Sequence, residues 1–253
     1  MSEAHSDLHG PNYADVKDRQ NIIDGVESGR RIVFITYAIT DVMERQLDFV
    51  IAALLKKYNR IELQSTLYTC MKEIVVNATK ANAKKTYLEA KGYHIEDMAD
   101  YRRGLQEIKE QLSEKWIEEW GARAREKGLE VAIAIEHEPD GLRIWVHNDA
   151  DLLTTDEARI REKFAEGMTY QDLVSFYMAN ADQTEGEGMG LVMNLLLLKG
   201  ENINPGLFRV GMRDGKTMAR IEIPFTDNFK SVRGPDPGGF THRENDINLD
   251  FRS

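Results

Sequence analysis

The chain has a single cysteine, Cys70, among its 253 residues. An intrachain disulfide is therefore excluded, and the lone thiol fits a reducing compartment. With no cysteine cluster and only six scattered histidines, the residues for a structural zinc site are missing. Long apolar runs are missing too: stretches such as Leu195-Leu196-Leu197-Leu198 are far too short to span a bilayer. The first 24 residues are polar and acidic, without the apolar core of a signal peptide. These features point to a cytoplasmic protein with no membrane partner. Basic excess is also lacking. A net charge of −10 and a pI near 5.2 argue against a general nucleic-acid-binding surface. No internal repeat is present.

What remains is an ordinary globular composition, 42% hydrophobic and 30% charged. Residues 1–28 mix Asp, His, Asn, Ser and Gly without periodicity and read as a mobile N-terminal arm. The β-branched and aromatic stretch 31–38 reads as a strand. Thr40-Asp41 caps a helix carrying Met43, Leu47, Val50 and Leu54 to about Tyr58. A second helix follows over about 63–85, with an apolar stripe of Leu67, Cys70, Ile74 and Ala78. Residues 86–128 are dense in Glu, Lys and Arg, with Tyr87, Leu88, Ile108, Trp116 and Trp120 at roughly helical intervals. They read as an amphipathic helical insert that either forms a partner or homodimer surface or packs on its own domain. A hairpin runs through 130–136 and 142–148 across Pro139-Asp140-Gly141. Residues 150–185 are weakly patterned and suit a mobile lid. A glycine-rich loop and an apolar helix follow, then a second hairpin, 207–213 and 218–225. The tail 226–253 carries Gly234-Pro235-Asp236-Pro237-Gly238-Gly239 and reads as disordered. Strands grouped with helices on one face predict an α+β fold, a two-layer α/β sandwich, over 29–225.

Two stretches carry chemistry. In Gly186-Glu187-Gly188-Met189-Gly190-Leu191, alternating glycines open an apolar helix. Missing Cβ atoms let a ligand approach the backbone, and the helix start favours an anion such as phosphate. The alternative is a flexible connector. The loop is not a P-loop, since no Lys-Ser/Thr pair follows it, and it lies too late in the chain for a dinucleotide fingerprint. On the second helix, Glu73, Asn77 and Lys80 share one face. A carboxylate, an amide oxygen and a lysine are what a magnesium–triphosphate site needs. A solvated helix face is the alternative.

Glu73-x-x-x-Asn77-Ala78 resembles the N-box of the histidine-kinase-like (GHKL, Bergerat-fold) ATPases, which include DNA gyrase, sensor kinases and anti-sigma serine kinases. Gly186-x-Gly188-x-Gly190-Leu191 resembles the late glycine box of that family, and 214–224 resembles its final Gly-x-Thr strand. The likeness covers about 31–225, without the insert. It implies ATP and Mg2+ as cofactors, with Asn77 as the magnesium ligand and Glu73 as general base. It also implies a phosphate cradle at Gly186, Gly188, Gly190 and Leu191, and Thr217 near the adenine; Lys80, from its place on the helix face, would neutralise phosphate charge. Asn148 stands where the family has its adenine-reading aspartate, and an asparagine oxygen still accepts from an amino group. A slip of one or two residues would instead put Asp149 or Asp151 there. Ala150 and Leu152 replace the two glycines of the family's first glycine box, leaving weak ATP binding, another purine or a lapsed site open. The layout is most similar to stand-alone anti-sigma kinases: an ATP-binding signalling kinase or ATPase acting on a protein partner. The competing expectation is a non-catalytic interaction module that keeps the fold. His94-Ile95-Glu96-Asp97 follows the N-box instead of preceding it, which disfavours a sensor kinase.

Overall fold

The computed structural model describes residues 13–180, 188–213 and 215–232, and the backbone of a strand at 247–250. Its elements are α1 (Arg19–Glu27), β1 (Ile32–Thr36), α2 (Asp41–Lys57), α3 (Gln64–Ala90), α4 (Met98–Gln111), α5 (Glu114–Glu126), β2 (Val131–Glu138), β3 (Gly141–Asn148), α6 (Thr154–Thr169), α7 (Leu173–Ala179), α8 (Met189–Gly200), β4 (Phe208–Arg213), β5 (Lys216–Pro224) and β6 (Ile247–Asp250).

Strand alternation sorts the sheet into two faces. The order is β4-β5-β3-β2-β1-β6, antiparallel throughout except for β6, which runs parallel to β1. Ile32 and Phe34 of β1, Val131, Ile133 and Ile135 of β2, Leu142, Ile144 and Val146 of β3, and Ile221 and Ile223 of β5 point to one side. There they share a core with Leu47, Val50 and Leu54 of α2, Leu67, Cys70 and Ile74 of α3, and Leu195 and Leu198 of α8. The fold is thus α+β, with helices packed on one face of the sheet. Both predicted hairpins form, and Thr40 caps α2 by accepting from the Met43 N–H at 3.3 Å.

Four segments differ from the reading of the sequence. The arm 1–28 contains α1, because Ile22 and Val26, four apart, are buried against α2 and β1. Tyr13 is also buried, donating to Asp48 Oδ2 at 2.9 Å. The second helix does not stop near residue 85 but continues to Ala90, so the insert proper starts after it. α4 and α5 pack on that extension: Tyr87, Ile108, Trp116 and Trp120 form one buried cluster, with Tyr87 edge-on to Trp120 at 4.8 Å. Tyr101, Leu105 and Ile117 pack against this cluster, whereas Met98 of α4 is exposed. The 150–185 segment is largely helical as α6 and α7, and residues 181–187 lie outside the described part.

The start of the tail is held on the sheet's second face. Thr226 Oγ1 donates to Asp140 Oδ1 at 2.5 Å, Arg143 donates to Lys230 O at 2.8 Å, and the Val232 N–H donates to Glu222 Oε1 at 3.0 Å. Arg143 lies 4.7 Å from the Phe229 ring centroid, and Val232 joins Val33, Ile35 and Trp145 in a smaller cluster there. Residues 247–250 then supply β6. Such a tail is hard to see in sequence patterning because its contacts with Asp140 and Arg143 reach across more than 80 residues.

Candidate functional site

α3 passes between the sheet and α8, and its polar positions are dealt out to both. Thr66, Cys70 and Glu73 meet α8 in antiparallel order. Thr66 Oγ1 donates to Glu201 Oε1 at 2.7 Å, and the Cys70 thiol lies 4.0 Å from the Asn194 carbonyl oxygen. Glu73 lies against Gly190, in the first turn of α8. A Cβ built on Gly190 would stand 1.8 Å from Glu73 Oε1 and 2.4 Å from its Cδ, so the carboxylate occupies the notch that glycine leaves. The helix start there has no side-chain cap, and Gly188, at φ 80°, provides the left-handed turn into it. A carboxylate beside uncapped N–H groups and the positive end of the helix dipole is favourably placed.

Asn77, one turn further along α3, donates its Nδ2 to Glu73 Oε1 at 2.8 Å. That contact fixes the amide's orientation and leaves Asn77 Oδ1 as an oxygen that could ligate a hard cation. Lys80 lies on the same helical face and is half-buried. The Cys70 thiol is pushed up to about 12, first by burial and then by the nearby Glu73 charge, so it stays protonated and inert. The Leu191 side chain packs against the main core, and its backbone N–H, in the first turn of α8, could face an anion. Gly186 lies outside the described residues.

The next face of α3 builds the other end. Ala78, Asn82 and Lys85 face β3 and the segment after it. Asn148, 4% exposed, donates to Asn82 Oδ1 at 3.3 Å, and Asn82 Nδ2 donates to the carbonyls of Leu129 and Glu130 at 3.2 and 3.1 Å. Thr217 is the cross-strand partner of Asn148, and its hydroxyl donates to Ala150 O at 2.7 Å. Asp149 and Asp151 do not take the place of Asn148. Asp149 accepts from the Glu130 N–H at 2.7 Å and pairs with Lys216 at 2.7 Å, while Asp151 pairs with Lys85 at 3.0 Å. Lys85 also donates to Asp149 O at 2.9 Å. The segment with Ala150 in place of glycine is thus tied from two sides.

The structure therefore brings together Glu73, Asn77, Gly188 and Gly190 at one end, and Asn148 and Thr217 at the other. Asn82, Lys85 and Lys163 were not singled out from the sequence. The stem of Lys163, on α6, covers Gly188, with its Cγ 2.9 Å from where a Cβ would stand. Spacing offered a signal for Asn82 and Lys85, since both follow Ala78 at helical intervals; nothing in the sequence links Lys163 to Gly188. Among the described residues no group of three or more His, Cys, Asp or Glu side chains could hold a metal ion, so a cation here would rest on Asn77 and on oxygens brought by a ligand. A separate groove of about 590 Å³, between α2 and α3, is lined by Asp41, Glu44, Asp48, Gln64 and Tyr68, among others, and by none of the residues above. Its inner carboxylates already have partners: Glu44 pairs with Lys72 at 2.7 Å, and Asp48 accepts from Gln64 at 2.9 Å.

The class these observations define is an α+β protein with a carboxylate–carboxamide pair facing a glycine-opened helix. A Treponema pallidum (strain Nichols) protein of uncharacterized function is 27% identical over 209 residues, which is 83% of this chain and 40% of that protein's length. The chain thus spans well under half of that relative. No protein-family model matches the chain, and no solved structure does. Among the described residues no helix is long and apolar enough to cross a membrane.

Proposed function

We propose that the chain is a histidine-kinase-like (Bergerat-fold) nucleotide-binding protein. It would take ATP with Mg2+ between α3 and the start of α8 and act as a signalling kinase or ATPase on a protein partner. The observation that carries this reading is the seating of Glu73 in the Gly190 notch with Asn77 bonded to it at 2.8 Å. Two residues 117 positions apart in sequence are thereby joined at one helix N-terminus. Asn77 Oδ1 would hold the cation, and the first-turn N–H groups of α8 would receive phosphate oxygens. Lys80 and Lys163 would add positive charge. Bound magnesium would supply charge neutralisation of the phosphates. Glu73 is placed to accept a proton from an attacking hydroxyl or water. Along α3 the nine steps from Glu73 to Asn82 span about 13 Å, comparable with a nucleoside triphosphate laid from base to terminal phosphate.

Titration of the full chain with ATP and Mg2+ tests the reading. Saturable binding is expected, weakened at least tenfold by Asn77→Ala and by Gly188→Val, with Glu73→Ala sparing affinity but abolishing turnover. If no binding appears at millimolar nucleotide, the proposal fails. A second reading, a non-catalytic interaction module, is favoured by the ties at 148–151. Asn148 is buried, and Thr217 and Lys85 close on the backbone of that segment.

A further inference from the structure

The sheet's second face, opposite α3 and α8, holds residues 226–232 much as a binding face holds a peptide. Arg143 of β3 stands across from Glu222 of β5, and Trp145 across from Arg220. Phe229 lies over Gly141, where a Cβ would meet its ring, and within 4.7 Å of the Arg143 guanidinium. Two further contacts are to main chain. Arg143 donates to the Lys230 carbonyl at 2.8 Å, and Glu222 Oε1 accepts the Val232 N–H at 3.0 Å. The Val232 side chain then packs on the cluster of Val33, Ile35, Ala132, Ala134 and Trp145. This face therefore reads a peptide backbone together with an aromatic and an aliphatic side chain three residues apart.

The occupant leaves the face incompletely paired. Glu222 is fully buried; Arg220 Nε, at 3.1 Å, and the Val232 N–H both approach its Oε1, and among the described residues nothing bonds to Oε2. Trp145 is 3% exposed, and its indole N–H likewise has no partner among the described residues. The two side chains are diagonal neighbours across the β3–β5 ladder, one short of a donor and the other of an acceptor. An extended backbone offers one N–H and one C=O per residue, which is the pair that is missing. Leaving a buried acceptor unpaired is costly, and more so when it is charged, so a segment that supplies both groups binds better than 226–232 does. We propose that this face is a docking site for an extended segment of a partner protein carrying an aromatic and an aliphatic residue three apart, and that residues 226–232 are a tethered occupant which such a segment displaces. Tethering gives the occupant an effective concentration of about a millimolar or more, so it covers the face until a better-paired segment arrives. The inference is independent of the nucleotide site, whose residues lie on and beyond the other face.

The test uses the full chain and a fluorescein-labelled peptide of residues 225–232 as the probe. Replacing Phe229 and Val232 together by alanine in the chain weakens its own occupant and leaves the strands of the face unaltered. This double variant should bind the probe about tenfold more tightly than the parent does. Arg143→Met added to it should weaken binding about tenfold, because the donor to the Lys230 carbonyl and the cation beside Phe229 are both lost. A probe of the same composition in scrambled order should bind about tenfold more weakly than the original. The missing pair is tested with a library of octapeptides in which Phe and Val are fixed three apart. Its tightest binders should lose about tenfold on Trp145→Phe, whereas the 225–232 probe, which leaves the indole N–H unpaired, should change by no more than about threefold. No binding of the probe to the double variant at millimolar concentration, equal binding of the scrambled probe, or library binders indifferent to Trp145→Phe overturns the proposal. A parent whose mass doubles with concentration while the double variant stays monomeric also overturns it, since the displacing segment would then be the tail of a second copy. Should the double variant not fold, Val232→Ala alone takes its place.

Discussion

Replacing Gly190 by alanine places one methyl group inside the contact on which the candidate site rests. The new carbon would stand 1.8 Å from Glu73 Oε1, 2.4 Å from Cδ and 2.8 Å from Cγ. Ordinary contact between carbon atoms begins at about 3.5 Å, so the carboxylate must retreat by well over an ångström. That shift breaks the 2.8 Å bond from Asn77. A hydrogen bond to a charged group contributes about 1.5–3 kcal/mol, less here because Glu73 is only half-buried and can turn to water. Against this, alanine favours a helix over glycine by up to about 1 kcal/mol. The net expectation is a loss of about 1 kcal/mol, or a Tm lower by roughly 2–4 °C for a chain of this size. In a Glu73→Ala background the methyl group meets no carboxylate, and the same substitution should stabilise by up to about 1 kcal/mol. Denaturant unfolding of the parent, both single variants and the double variant should therefore give a coupling of about 2 kcal/mol. If Gly190→Ala has the same effect in both backgrounds, within about 0.3 kcal/mol, Glu73 does not occupy the notch and the site as described is wrong.

Two further outcomes follow from residues away from the site. His137 is pushed down to about 4 from the usual 6.5, by burial first and then by the Lys57 charge, and its ring is held between the Tyr58 hydroxyl at 2.7 Å and Arg30 O at 3.2 Å. A histidine kept neutral in the fold contributes stability that is complete above about pH 6.5 and lost as the pH falls toward 4. The parent should lose up to about 1.4 kcal/mol more per pH unit in that window than His137→Gln, and parallel curves would remove His137 as the cause. Trp120 is 6% exposed and packed edge-on against Tyr87. Trp120→Ala should destabilise by about 3–5 kcal/mol with unchanged mass in solution; a change of oligomeric state without loss of stability would favour the partner-surface reading of the insert.

Much of the helix and strand order is legible because single stretches carry it. The stripe Leu67, Cys70, Ile74 and Ala78 has only one sensible helical reading, and the alternation of 142–148 has only one sensible strand reading. The elements missed are those whose apolar residues are too few to signal alone. α1 has Ile22 and Val26 as its buried side chains and depends on α2 and β1 to bury them. β6 is four residues long and owes its existence to the free edge of β1. The extension of α3 past Lys85 is stabilised by Trp116 and Trp120, which arrive from 30 residues further on. In the candidate site, Glu73 and Asn77 were legible as a pair because four residues make one helical turn, and the glycines were legible as a break in composition. Lys163 over Gly188 was not, since it depends on the packing of α6 beside α8.

The sequence by itself determined that Glu73, Asn77 and Lys80 share a face and that Gly188 and Gly190 open a helix, because helical spacing and the missing Cβ are properties of short segments. Tertiary structure decided that these two features meet, with the carboxylate in the glycine's notch, because only the antiparallel packing of α3 on α8 sets their distance. It also decided the orientation of the amide at Asn148. That depends on which backbone carbonyls lie beyond Asn82, and no pattern along the chain encodes them.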